Sequence, residues 1–349
     1  MNASGNPALS IVAPCYNESS GLREFYRRAR DAAACEVGRS YEIVLVDDGS
    51  RDATWEVIEE LALADRSVLG VRLTRNFGHQ AAITAGLAVS TGTRVLLIDS
   101  DLQDPPELLR FMMQAMDEGA EVVYGQRISR ATDTVFKKIT AAIFYRLFDA
   151  ISDVPIPRET GDFRLMTRAV VDALAAMPER QRFIRAMVPW VGGRQVSIPY
   201  KRQARYAGRS HYPLIRMVRL ALDAVTSFSS FPLRIVLFAG LMSAGIGLLL
   251  LIRTLWQWSN GDAGTGWSSL MTVVVFFGGL QMIFLGVVGE YVGRIFHEVK
   301  GRPIFLVDTV ITGAARYELP VQFAALDGDA RRAVLRDLAT KVARTVHGS

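Results

Sequence analysis

Two long uncharged runs constrain this chain more than any other feature of its 349 residues: Ile235 to Ile252 is 18 residues without a charge, and Ala263 to Gly289 is another 27. At roughly 1.5 Å per residue, a helix of about 18 to 20 residues covers the ~30 Å hydrocarbon core of a bilayer. The alternative is a pair of buried core helices in a soluble protein, but soluble helices of that length keep a polar stripe and these runs have none. Gly240, Ala244 and Gly247 in the first run, and Gly278, Gly279, Gly286 and Gly289 in the second, permit close helix packing in lipid. A transmembrane hairpin over 232–293 is predicted.

Arg216, Arg219 and Arg234 precede the first run, Arg294, Lys300 and Arg302 follow the second, and only Arg253 lies between them. By the positive-inside rule both flanking parts face the cytoplasm, so the expected localisation is the inner, cytoplasmic membrane with both termini cytoplasmic. The first 25 residues hold no apolar run of signal-peptide length, which agrees with a cytoplasmic N-terminal domain. Cys15 and Cys35 are the only cysteines, too few for a disulfide framework. The net charge of +5 is modest, and the basic residues ahead of the membrane suggest an anionic lipid phosphate rather than nucleic acid.

Between residues 10 and 125 short apolar runs alternate with helical patterns: SIVAPCY, YEIVLVDD, VLGVRL, TRVLLIDSD and EVVYG are separated by helices of ordinary length. This alternation predicts an α/β fold, a mostly parallel sheet covered on both faces, with ligands bound beyond the carboxyl ends of the strands. Asn17 and Glu18, Asp47 and Asp48, and Asp99 and Asp101 fall at those ends. Further strands are expected at DFRLMT and RQVSIPYK, with amphipathic helices over 133–149 and, in the membrane interface, over 213–231. The last could equally be an ordinary core helix. After about residue 310 the chain reads as a polar tail with one short helix. The domain plan is therefore a cytoplasmic α/β domain over 1–212, an interfacial helix over 213–231, the hairpin, and a cytoplasmic tail over 294–349.

Asp99-Ser100-Asp101, closing the run VLLI and followed by Leu102-Gln103-Asp104-Pro105-Pro106-Glu107, offers the hard oxygen ligands that Mg²⁺ or Mn²⁺ takes, with room for diphosphate oxygens. Asp104 or a neighbour could instead cap the helix entered by Pro105-Pro106. Pro14-Cys15-Tyr16-Asn17-Glu18 could bring an aromatic face and a carboxylate to a base and ribose, as could Asp48. Asp47 to Ser50 read equally well as a turn with a cap. No G-x-G-x-x-G or G-x-x-x-x-G-K-[ST] occurs, which argues against Rossmann dehydrogenases and P-loop enzymes.

The segments APCYNE (13–18), VDDGSRDAT (46–54), RNFGHQAAITAGL (75–87), DSDLQDPPE (99–107), YGQR (124–127), GDFRLMTR (161–168) and ARYAGRSHY (204–212) together resemble the family 2 glycosyltransferases of GT-A fold. Within that family the resemblance is to the polyprenyl-phosphate glycosyltransferases, the bacterial bactoprenol glucosyltransferases and dolichol-phosphate mannose synthase among them. EYVGRIFHEVKGRP (290–303) and the hairpin are similar to the bacterial members.

The resemblance implies single-sugar transfer from a nucleotide-sugar, UDP-glucose first and GDP-mannose or a modified UDP-sugar next, to polyprenyl phosphate. It implies that Pro14, Tyr16, Glu18 and Asp48 bind the nucleoside, with Asp99 close to ribose or metal and His79 near the diphosphate. Asp101 and Gln103 become the metal ligands, and Arg127, Lys137, Lys138, Arg205 and Ser210 meet the lipid phosphate. Asp162 is expected to orient groups or act as a weak base, or else to pair with Arg164. A lipid phosphate is already largely ionised at neutral pH, so the expected mechanism is one inverting displacement governed by positioning and electrostatics. Gln181 to Arg185 lack the Trp and the spacing of the Q-x-x-R-W motif of processive synthases, and His211 stands where lysine is common. A homo-oligomer, a different lipid or glycan acceptor, and an inactive membrane scaffold are the remaining readings.

Overall fold

The computed structural model describes residues 6–128, 160–180, 182–202, 231–260, 266–313 and 315–318. The expected helices over 133–149 and 213–231, and the short helix of the tail, lie outside the described residues.

The apolar runs form strands because they bury both faces. All seven residues of β1 (Leu9–Cys15) are buried, and β2 (Tyr41–Asp47), β3 (Val68–Leu73) and β4 (Arg94–Leu97) are buried through most of their length. These four pair in parallel in the order β4-β1-β2-β3. Alternating side chains then divide between two cores. Ile11, Ala13, Ile43 and Leu45 point to one face, where they meet helices α1 (Leu22–Val37), α2 (Thr54–Ala64) and α4 (Leu109–Asp117). Val12, Val44 and Val46 point to the other, against α3 (His79–Val89), α5 (Arg168–Ala176) and α6 (Ile184–Val191). This is the predicted α/β class, three layers deep.

The flanks differ from a simple parallel continuation. β6 (Thr160–Thr167) inserts antiparallel between β4 and β5 (Val122–Arg127), and β7 (Gln195–Tyr200) pairs parallel with β5 at that edge. At the other edge β8 (Val307–Thr312) lies antiparallel on β3 and β9 (Ala315–Glu318) on β8. Residues that read as the start of a polar tail thus complete the sheet. Val310 and Ile311 are buried against opposite faces of it.

Two further helices, α7 (Phe231–Ser259) and α8 (Trp267–Val299), have 29 and 33 residues. Both are long and apolar enough to cross a membrane, over Val236–Gln257 and Phe276–Val299. None of their described side chains is buried: Leu237, Phe238, Leu249, Phe276 and Met282 are all more than 60% exposed. A core helix of a soluble protein would not leave such a surface uncovered. α8 continues past the uncharged run that ends at Gly289, to Val299. The charges that suggested a boundary, Glu290 and Arg294, lie one turn apart and pair at 3.0 Å.

The β2 exit depends on a glycine. Gly49 has φ +66°, and a Cβ there would lie 2.5 Å from the Arg75 carbonyl carbon and 2.6 Å from the Asn76 nitrogen. Gly49→Ala is therefore expected to destabilise the protein by about 1–3 kcal/mol, through positive-φ strain and a backbone clash that cannot rotate away. A thermal melt checks this, and an unchanged midpoint would show that the two loops part freely.

Candidate active site

The carboxyl ends of β1, β2 and β4 open on one edge of the sheet. β6 runs the other way, so its beginning, Gly161 and Asp162, comes to the same edge, where Arg127 and Tyr200 end β5 and β7. Topology alone gathers most of the motif residues there.

The loop after β4 is held rigidly. Ser100 Oγ donates to the Pro14 carbonyl at 2.9 Å, joining this loop to the end of β1. Leu102 has φ +61° and a side chain only 3% exposed, so the backbone turns sharply while keeping its anchor in the core. Asp101 Oδ1 accepts the Gln103 backbone amide at 3.1 Å, which fixes the turn that carries both expected metal ligands. Asp99 Oδ1 is buried without a hydrogen bond and lies 3.4 Å from His79 Nε2. Burial pushes the Asp99 carboxyl up to about 6: His79 opposes the shift, while Asp162, Asp104 and Asp101 add to it.

Asp104 does not cap the following helix, whose entry has no side-chain cap. It is fully buried and accepts a hydrogen bond from the Tyr200 hydroxyl, with Arg127 Nη2 at 3.5 Å and Arg202 Nε at 3.7 Å. Arg127 also donates from Nε to Tyr200 Oη at 3.1 Å and lies over Gly161, where a Cβ would come 2.6 Å from its Nη2. Burial works against the charge on Arg127, but Tyr200 and Asp104 outweigh it and raise its pKa. Arg202 Nη2 lies 3.9 Å from Asp101.

Both oxygens of Asp162 are engaged. Arg185 donates from Nε to Oδ1 and from Nη2 to Oδ2, both at 3.1 Å, Gln80 Nε2 donates at 3.4 Å, and His79 Nε2 is 3.4 Å away. Burial alone would raise its pKa, but the His79 hydrogen bond and the charges of Arg185 and Arg164 hold it well below the usual carboxylate range. Such a group is a poor base. Arg164, the partner weighed from the sequence, donates instead to the Gly161 carbonyl at 3.0 Å and acts on Asp162 only through its charge. For His79, burial lowers the pKa, whereas Asp162 and Asp99 raise it by more, so the net shift is upward.

Beyond the end of β1, Tyr16 is 41% exposed, next to Asn17 at φ +56°. Asn17 and Glu18 donate their backbone amides to Ser50 Oγ at 3.0 Å and Thr54 Oγ1 at 2.9 Å, binding the β1 loop to the β2 loop. Asp48 is 3% exposed, and its two oxygens accept the Phe77 and Gly78 amides at 2.7 and 2.9 Å. It serves as a strut that fixes the entry to α3 and thereby His79. Asp47 forms the turn read from the sequence, accepting the Ser50 amide at 3.1 Å.

Lys137, Lys138, Arg205 and Ser210 lie outside the described residues. The sequence reading missed Gln80, Arg185, Tyr200 and Arg202; Asp104 was visible in its motif but read as a cap. The donor set fits a hard divalent cation, with an orphaned Asp99 oxygen beside Asp101 and Gln103. Among the described residues no three His, Cys, Asp or Glu side chains converge on a metal by themselves, so substrate oxygens would have to complete the coordination.

Residues 10–175 match the family Glycosyl transferase family 2, and residues 231–295 match the GtrB C-terminal hairpin. A Bacillus subtilis (strain 168) protein described as an uncharacterized glycosyltransferase, YkcC, is 44% identical over 299 residues, covering 85% of this chain and 92% of the relative. The prophage bactoprenol glucosyl transferase homolog of Escherichia coli (strain K12) is 40% identical over 308 residues, 86% of this chain and 99% of the relative. The bactoprenol glucosyl transferase of Shigella phage SfII is 40% identical over 303 residues, 86% and 97% respectively. Among solved structures, the mannosyltransferase PcManGT from Pyrobaculum calidifontis is similar with a TM-score of 0.46 at 16% identity, over 82% of this chain and 87% of that one.

Because the folded pKa of Asp162 is depressed, its stabilising effect is present above the unfolded carboxylate pKa of about 4 and is lost as pH falls through the folded value. At pH 7, Asp162→Asn should cost about 3–5 kcal/mol, since it leaves Arg185 and Arg164 without their counter-ion. It should also move the His79 titration down, which histidine-selective NMR would read among the 4 histidines. A His79 titration unmoved by the substitution would mean that Asp162 does not control the imidazole.

Proposed function

The chain belongs to glycosyl transferase family 2, and from that premise we propose that it transfers one sugar from a nucleotide-sugar to polyprenyl phosphate at a membrane surface. The observation that carries this reading is a single sheet edge gathering Asp99, Asp101, Asp162, His79 and Arg127, in a chain whose two apolar helices have no buried side chain among those described. Relatives named bactoprenol glucosyl transferase support the lipid acceptor, and their name makes UDP-glucose the first donor to test.

The chemistry asks little of a base. A phosphate monoester is already largely ionised at neutral pH, and its oxygen can attack the anomeric carbon directly, inverting it as the nucleoside diphosphate departs. The chain must hold both reactants in line and balance charge. Tyr16, with its exposed ring, and the rigid loops around Pro14, Glu18 and Asp48 suit the nucleoside. Asp101 and Gln103 would hold Mg²⁺ or Mn²⁺, with Asp99 alongside. When bound, that ion supplies positive charge to the departing diphosphate. His79, charged over a wider pH range than free imidazole, adds to that balance. Arg127, whose side chain is 22% exposed, suits the lipid phosphate together with Lys137, Lys138, Arg205 and Ser210. α7 and α8 would span the cytoplasmic membrane with both flanking parts on the cytoplasmic side.

Membranes containing the protein, given polyprenyl phosphate, divalent metal and radiolabelled UDP-glucose or, in parallel, GDP-mannose, are expected to transfer label into an organic-extractable lipid. Asp101→Ala should reduce the rate by about 100-fold or more. Full activity in that variant would remove Asp101 from the metal site, and no label from any donor with folded protein would overturn the acceptor.

A further inference from the structure

One cation at this sheet edge belongs to no recognised motif. Arg185 is the second residue of α6, far from Asp162 in sequence, and the run Gln181 to Arg185 lacks the features by which the processive enzymes are known. Its guanidinium nonetheless grips Asp162 through two donors, one to each oxygen, both at 3.1 Å. Gln80, the second residue of α3, joins the same assembly from the opposite side. Its Nε2 donates to Asp162 at 3.4 Å, and its Oε1 accepts the Ile184 amide, one of the donors that a helix start leaves unpaired, at 2.9 Å. One glutamine thus ties the start of α3 to the start of α6, and the carboxylate between them is fixed by both. His79, directly before Gln80, stands 3.4 Å from Asp162 and 3.4 Å from Asp99.

We propose that Arg185 and Gln80 are positioning residues for glycosyl transfer: they clamp Asp162 between the starts of α3 and α6 so that its carboxylate holds the His79 ring beside Asp99, where the donor diphosphate leaves. The proposal rests on the glycosyl-transfer reading above. Several features distinguish this arrangement from an ordinary surface ion pair. The carboxylate side chain is 1% exposed, and the guanidinium meets it in the two-point geometry that fixes orientation as well as distance. The glutamine makes both of its bonds within the same network. A clamp acting through Asp162 predicts a specific kinetic pattern. Its loss misplaces a group without removing a contact to either substrate, so turnover falls while the concentration dependence on donor and lipid stays.

The test uses the full chain in detergent or membranes, with Arg185→Met, Arg185→Lys and Gln80→Ala compared with the unaltered protein. Arg185→Met is expected to lower kcat about 100-fold with KM for nucleotide-sugar and polyprenyl phosphate within about twofold. Arg185→Lys should recover part of that loss, because an ammonium keeps the charge but not the fork. Gln80→Ala should lower kcat about tenfold, and its effect should not add to that of Arg185→Lys, as expected of neighbours in one network. In the absence of substrates, the His79 ring resonances at fixed pH should shift in all three variants. If Arg185→Met does not fold, Arg185→Lys and Gln80→Ala decide by the same two readouts. A raised KM with unchanged kcat would make Arg185 a substrate-binding cation and overturn the proposal, as would unmoved His79 resonances. If the unaltered protein transfers no sugar, the transfer reading fails by itself, and the His79 resonances still decide whether the clamp exists.

Discussion

Four carboxylates, Asp99, Asp101, Asp104 and Asp162, crowd one edge of this sheet, and the structure around them is organised by their mutual repulsion. β4 delivers the first three in the loop that follows it, and the antiparallel β6 brings the fourth in from its own beginning. Unpaired charges at such depth would be expensive, so each finds its own solution. Asp162 takes Arg185, Asp104 takes Tyr200, Arg127 and Arg202, Asp101 takes the Gln103 backbone amide with Arg202 at 3.9 Å, and Asp99 has His79 on one side and an oxygen without a hydrogen bond on the other. The neighbour left least compensated is the one whose carboxyl is pushed up to about 6. A site arranged in this way retains a demand for positive charge, which a divalent cation would meet.

The fold was legible where burial leaves a pattern in the sequence. β1 to β4 bury both faces, and such strands read as continuous apolar runs. β8 mixes Asp308, Thr309 and Thr312 with Val307, Val310 and Ile311, and β9 is a short edge strand, so neither stands out from a polar segment. Strand order was not legible either. Nothing local to β6 says that it enters between β4 and β5, where Phe163 and Leu165 pack into one core and Met166 into the other.

The site divides along the same line. Asp99, Asp101 and Asp162 sit in short motifs at strand ends, where the backbone fixes their direction, and their convergence follows from topology. Arg185, Gln80, Tyr200 and Arg202 reach the site on long side chains or from distant elements, and a spacing rule cannot register such contacts. Asp48 shows the reverse case: its motif is conspicuous, yet both its oxygens take backbone amides of the loop before α3. A carboxylate can be essential to a nucleotide site by shaping the loop that carries another residue.

This division bears on how the reaction can be driven. Where the nucleophile is a neutral hydroxyl, a carboxylate at the reacting centre must keep an oxygen available and a pKa near the working pH. Asp162 has neither, since both its oxygens are engaged and its pKa is held down by its neighbours. For an acceptor that arrives as an ionised phosphate, the same carboxylate is more useful as a fixed negative pivot that orients cations. The immobilised Asp162 therefore favours a nucleophile that brings its own charge, a chemical argument for a phosphate acceptor that is independent of the names of the relatives.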